Sequence, residues 1–224
     1  MKMLKALTLV TLIALAVAAV GCGSNDSGNA TLTLPNGKSV TPNSALSWQI
    51  TSTTCFSAPL FPVGIVYTAA PIYVSSNSTS CGDNGCWLTA NTQSLIVVPY
   101  VAATSGSTII SEGTYQVGGA FTQPGSGAPS RGAVVYYIST DSACNATTTS
   151  SILSGSTGTV TLTSYDSSTG SASGSFEITI PDSGNANEPS GTLSGSFSTA
   201  GCGWANTVPY CLGDFTCGGL GCST

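Results

Sequence analysis

The chain has 224 residues, 41% of them hydrophobic and only 6% charged, with nine cysteines, no histidine and a formal charge of −5 at pH 7. Without histidine there is no Ser-His-Asp or Cys-His catalysis, no 2-His-1-carboxylate iron site and no histidine-based zinc site. Four basic residues provide no footprint for displacing counterions from nucleic-acid phosphates, and none for holding the folded body on an anionic bilayer.

Lys2 and Lys5 precede an uncharged apolar stretch, residues 6–20. That is the layout of a secretory signal peptide, and the stretch is too short to span a bilayer as a helix. It ends in Leu15-Ala16-Val17-Ala18-Ala19-Val20-Gly21-Cys22. Ala19-Val20-Gly21-Cys22 resembles the lipobox of bacterial lipoproteins. The resemblance implies cleavage after residue 21, acylation of Cys22 and export to a compartment where thiols oxidise. Gly23 in place of Asp after that cysteine implies passage to the outer membrane. The alternative is an ordinary signal peptide cut after Ala16-Val17-Ala18. Cysteine parity favours the lipobox, since assigning Cys22 to lipid leaves Cys55, Cys81, Cys86, Cys144, Cys202, Cys211, Cys217 and Cys222, an even set able to form four disulfides. Their local spacings, four residues between Cys81 and Cys86, five between Cys211 and Cys217 and four between Cys217 and Cys222, are wider than close zinc-binding pairs. Disulfides are expected, with pairing left open.

Cleavage would leave Lys38 and Arg131 as the basic residues facing nine acids. With charge so scarce against about 25% in ordinary domains, solubility must come from Ser, Thr, Asn and Gln on outward strand positions. Residues 22–29 read as a lipidated N-terminus and flexible tether, residues 30–202 as one all-β domain, and residues 203–224 as a cysteine-rich tail packed on it.

Along that domain, Thr31-Leu32-Thr33-Leu34 alternates before Pro35-Asn36-Gly37, a hairpin signal. Leu46, Trp48 and Ile50 alternate with Ser47, Gln49 and Thr51, predicting a strand with one buried face. Prolines at 59, 62 and 71 predict that Gly64-Ile65-Val66-Tyr67 and Ile72-Tyr73-Val74 are short or edge strands. Cys81 to Cys86 brackets an exposed turn. Leu95-Ile96-Val97-Val98 and Ala133-Val134-Val135-Tyr136-Tyr137-Ile138 are continuous β-branched and aromatic runs, expected as central strands covered on both faces. Thr114-Tyr115-Gln116-Val117 and a loop lie between them. The last third predicts a three-stranded meander, each strand opened by Gly158, Gly174 or Gly191, with Val160, Leu162, Phe176, Ile178, Ile180, Leu193 and Phe197 inward and Glu177 outward. The expected architecture is all-β, an antiparallel β-sandwich of about eight to ten strands with a disulfide-stapled C-terminal tail.

Gly113-Thr114-Tyr115, Asp141-Ser142-Ala143-Cys144, Gly158-Thr159-Val160-Thr161-Leu162-Thr163 and the run from Gly191-Thr192-Leu193 to Ala200-Gly201-Cys202 together resemble a family of uncharacterised myxobacterial-type envelope lipoproteins. The resemblance covers roughly residues 90–202 and implies a lipobox and a β-rich body, with no activity attached. The cysteine-rich extension after Cys202 departs from it.

Candidate chemistry is sparse. Lys38 is the one lysine for a Ser-Lys arrangement, and it stands next to the first turn. Glu112, Asp166, Glu177, Asp182 and Glu188 are the acids from which a glycosidase pair would be drawn, with solvated surface as the plainer reading. Asp182-Ser183-Gly184-Asn185-Ala186-Asn187-Glu188 gathers hard oxygen ligands of the kind calcium takes, without EF-hand spacing. Trp87 and Trp204 sit beside cysteines; packing over a disulfide is the plain reading and sugar stacking, with Tyr100 or Tyr210, the sharper one. Asn29, Asn77 and Asn145 begin formal glycosylation sequons, which carry no weight in a bacterial lipoprotein. The expectation is a non-enzymatic, cofactor-free envelope lipoprotein with a structural or adhesive role. Its partners are the bilayer through Cys22 and a cell-surface protein or glycan. A carbohydrate-binding module is the alternative, and a carboxylate-based glycoside hydrolase the second.

Overall fold

The computed structural model describes Leu34 and residues 45–51, 62, 64–75, 90–125, 129–142 and 151–201. These residues form β1 (Ala45–Ser47), β2 (Ile50–Thr51), β3 (Val66–Ala69), β4 (Ile72–Ser75), β5 (Gln93–Ala103), β6 (Gly113–Val117), β7 (Ser130–Ser139), β8 (Ser151–Ile152), β9 (Thr157–Tyr165), β10 (Ala172–Ile180), β11 (Gly191–Ser198) and β12 (Ala200–Gly201). No helix occurs among the described residues.

The meander follows its sequence pattern closely. In β10 the burial alternates along the whole strand, with Phe176, Ile178 and Ile180 inside and Glu177 and Thr179 in solvent. It pairs antiparallel with β9 on one side and β11 on the other, and β9 continues the ladder to β6. Period-two alternation works here because one face is buried and the other wet, so a slip of one residue would exchange the two sets.

β5 and β7 form the second half, antiparallel over the ten pairs from Gln93↔Ser139 to Ala102↔Ser130. Leu95, Ile96, Val97 and Val98 are all fully buried, as are Val134 and Val135, so both faces of these strands are covered as their continuous apolar runs predict.

Residues 64–74 form short strands as expected, four residues each, but the edge alternative is corrected. β3 and β4 share one register on β5, since Ala69↔Tyr100 and Ile72↔Val97 lie on the same ladder. β2 and β1 likewise share one register on β3 and β4, through Ile50↔Ala69 and Ser47↔Ile72. These are interior strands interrupted by proline, not edges. Pro71 and Pro99 each lack the N–H of a ladder pair, yet their carbonyls still accept, from the N–H of Trp48 (3.3 Å) and of Ala70 (2.9 Å). Each proline removes one hydrogen bond from the ladder and leaves its register intact.

Hydrogen bonding joins all twelve strands into one sheet, in the order β11-β10-β9-β6-β7-β5-β4-β1-β12, with β2, β3 and β8 attached beside it. β11 and β12 are separated only by Thr199, so the path begins and ends on one run of chain and the sheet curls round on itself. It is mixed rather than purely antiparallel. β6 meets β7 in parallel at Val117↔Ala133, and β1 meets β12 in parallel at Leu46↔Ala200 and Ser47↔Gly201. The physical reason is connection length: residues 118–129 are long enough to return the chain to the end it started from, which a tight hairpin cannot do.

The core lies inside the curl. Ile72, Val74, Leu95, Val97, Val135 and Tyr137 from one half meet Tyr115, Val160, Leu162, Phe176, Ile178, Leu193 and Phe197 from the other. Phe176 and Phe197 stack at 4.4 Å between ring centroids. Leu34 belongs to the same core and is 1% exposed.

Candidate functional site

The residues that the sequence singles out for lipid, disulfides and stacking lie outside the described residues: Cys22, Cys55, Cys81, Cys86, Cys144, Cys202, Cys211, Cys217, Cys222, Trp87, Trp204 and Tyr210. Lys38 lies outside them as well.

Tyr100, the other stacking candidate, is corrected by its burial. It is 1% exposed, faces outward from the curl on β5, and packs edge-on against Phe121 at 5.1 Å. Its hydroxyl accepts from the Thr122 N–H at 2.7 Å, and its ring lies so close over Gly132 that a Cβ there would meet the hydroxyl at 2.8 Å. It is a packing residue that pins residues 121–122 to the sheet. Among the described residues, Ile109 is the large hydrophobic side chain left exposed, at 68%.

The acids separate by position. Asp166 caps the β9–β10 turn, accepting from the Ser168 hydroxyl (2.6 Å) and N–H (2.8 Å), which lower its pKa. Glu177 points to solvent from the middle of β10. Glu112 contributes its carbonyl to Arg131, whose Nη2 donates to it at 3.0 Å while the guanidinium lies 3.9 Å from the centre of the Tyr115 ring. The Tyr115 hydroxyl in turn donates to the Ser111 carbonyl at 2.7 Å, so this cation is spent on the Ser111–Tyr115 corner.

Asp182 and Glu188, by contrast, come together. The β10–β11 loop and Leu34 line an open, shallow cleft of ≈ 400 Å³, together with Asp182, Gly184, Asn185, Ala186, Glu188 and Ser190. The loop owes its shape to short-range bonds: Gly184 N–H donates to Asp182 Oδ1 (2.8 Å), Asn187 N–H to Asn185 Oδ1 (3.0 Å) and Glu188 N–H to the Asn185 carbonyl (2.9 Å). Such turns are what Asp and Asn followed by small residues favour. They occupy one oxygen of Asp182 and the side-chain oxygen of Asn185, leaving the cleft acidic and lined by hydrogen-bonding groups. Among the described residues no group of three His, Cys, Asp or Glu is arranged to hold a metal ion. The loop's acids were visible in the sequence; Leu34 and Ser190 were not, because nothing local links residue 34 to a loop that follows it so far along the chain.

Four tyrosines are displaced from ordinary titration by burial. Tyr73 is pushed up to about 12, and its hydroxyl accepts from Ser94 Oγ at 2.8 Å. Burial also raises Tyr136, Tyr137 and Tyr165. Tyr73, Tyr136 and Tyr137 are buried, and Tyr165 is half-buried at the end of β9.

No family model, curated protein or solved structure matches this chain.

Proposed function

We propose that the chain is an envelope lipoprotein of the myxobacterial type, non-enzymatic, anchored in the outer membrane by acyl chains on Cys22, with a structural or adhesive role. The observation that carries this reading is Ala19-Val20-Gly21-Cys22 at the end of an uncharged run preceded by Lys2 and Lys5. Anchoring through acyl chains suits a body in which no helix of the described residues is long and apolar enough to cross a membrane. The even cysteine set supports disulfides, and the described strands contain no cysteine, so bridges would join connections and tail without interrupting the ladder. In this reading the curled sheet is a flattened sandwich whose halves meet at the two parallel contacts, and residues 203–224 are stapled to it.

The test is the intact mass of membrane-extracted protein before and after reduction and alkylation. The expected result is a chain starting at Cys22 with added acyl mass and eight further cysteines that alkylate only after reduction. An unacylated chain, or thiols free without reduction, overturns it.

A second reading, a carbohydrate-binding module, is favoured by the cleft of the β10–β11 loop. Two carboxylates, an amide and a hydroxyl facing one ≈ 400 Å³ space suit a hydroxyl-rich neutral ligand. The same carboxylates are the pair that a glycoside hydrolase would use. Binding to a panel of neutral glycans that Glu188→Gln abolishes would favour the module, and release of reducing sugar would favour the hydrolase.

A further inference from the structure

The sheet closes where three pieces of chain interlock. β1 lies parallel to β12, and the β9–β10 turn is wedged against both. Ser47, fully buried on β1, donates from Oγ to the Gly170 carbonyl at 2.5 Å and shares a hydrogen bond with Thr199 Oγ1. Thr199 continues the network: its hydroxyl proton goes to Ser47 Oγ, its Oγ1 accepts from the Ala172 N–H (2.8 Å), and its own N–H donates to the Ala172 carbonyl at 2.8 Å. The backbones touch. A Cβ on Gly170 would sit 2.7 Å from Trp48 Cα, and one on Gly201 would sit 2.2 Å from the Thr169 carbonyl oxygen.

The direction of these strands matters. Because β1 and β12 are parallel neighbours, the chain enters β1 at one end of the sheet and leaves β12 toward the other. A pull between the chain before β1 and the chain after β12 therefore runs along the strands. It loads the ladders β1–β4, β1–β12 and β10–β11 in shear, so that their bonds must fail together. The β10–β11 loop lies at the entry end, since β11 runs in the same direction as β12 and Leu34 lines the loop's cleft. A pull between the entry chain and that loop runs across the strands and opens them one bond at a time.

We propose that the Ser47–Thr199–Gly170 junction is a mechanical clamp, which keeps the body folded when the N-terminal anchor and the chain beyond β12 are pulled apart. The proposal rests on the anchored, adhesive reading for its biological use, but its mechanical content stands or falls separately. The experiment is single-molecule pulling of the chain from residue 22 to residue 224, with its cysteines reduced so that no bridge carries the load past β12, in two geometries: between residue 22 and the C-terminus, and between residue 22 and an attachment at Gly184. Forced unfolding reports the barrier to unfolding rather than equilibrium stability. The expected result is a several-fold higher unfolding force in the first geometry, with Ser47→Ala lowering that force toward the second and leaving the second nearly unchanged. Thr199→Val serves the same purpose if Ser47→Ala does not fold. Equal forces in the two geometries overturn the clamp, and so does a variant that lowers both equally. The mass of Cys22 decides the anchor independently, so an acylated protein with no force difference would remove the clamp and leave the lipoprotein reading in place.

Discussion

The two halves of this sheet solve burial differently. In β9, β10 and β11 one face is apolar and the other is Ser, Thr and Glu177 in contact with solvent. In β4, β5 and β7 both faces are buried: Leu95, Val97 and Val135 point into the curl, while Tyr73, Ile96, Val98 and Val134 point away from it and are equally inaccessible. Phe121, from the loop after β6, lies over part of that outer face against Tyr100 and Tyr136. The cysteines follow the same division along the chain. Cys55 lies between β2 and β3, Cys81 and Cys86 between β4 and β5, Cys144 between β7 and β8, and Cys202, Cys211, Cys217 and Cys222 after β12. The run from β8 to β12 carries none. A strand wet on one side is soluble by itself, whereas a strand apolar on both sides depends on other parts of the chain to cover it.

The sharpest way to separate the halves is to place a charge on the face away from the core in each. Val98→Asp on β5 buries an unpaired carboxylate at a fully inaccessible position and should cost about 3–5 kcal/mol or prevent folding. Thr179→Asp, on the solvent face of β10, should change stability by less than about 0.5 kcal/mol. Denaturant titration of both variants checks the pair, and similar losses would mean that the β10 face is covered too.

Phe176→Ala tests the core that the halves share. Loss of one ring of the stacked pair should cost about 3–5 kcal/mol, read from the same titration.

Alkaline titration probes the doubly covered half. Tyr73 is fully buried, and burial, which disfavours the phenolate, pushes its pKa up to about 12, above the ordinary tyrosine value. The native state therefore holds its proton more tightly than the unfolded chain does. That contribution is complete below pH 10 and is lost as pH rises toward 12, on the order of 2 kcal/mol from Tyr73 alone. Tyrosinate absorbance should appear together with loss of β-sheet circular dichroism. Ionisation of all tyrosines near pH 10 with the fold intact would contradict this burial.

Among the buried positions the smallest expected effect is Tyr100→Phe, which keeps the ring against Phe121 and removes the acceptor for the Thr122 N–H. A loss of about 1 kcal/mol is expected, with faster amide exchange at Thr122.

Much of this architecture is legible in the residues themselves. Alternation in the meander and unbroken apolar runs in β5 and β7 are local patterns, and each reports how many faces its strand must bury. Proline was the misleading signal. Pro71 read as a strand breaker because it lacks a donor, but in the sheet it loses a single bond while its neighbours keep the register. The cleft was half legible: a cluster of Asp, Asn and Glu at residues 182–188 marks a turn with acids, and only folding brings Leu34 to it.

Sequence by itself determined the strand-rich class, the inward set of the meander, the two central strands and the chemistry that no histidine and few cations forbid. Only the tertiary structure decided that the sheet is continuous and mixed and that it curls until residues 191–201 serve both of its ends. The reason is the reach of the interactions. Side-chain period is set by the next few residues, whereas the closure depends on Ser47 meeting Gly170 and Thr199, partners 123 and 152 residues away that no local pattern can specify.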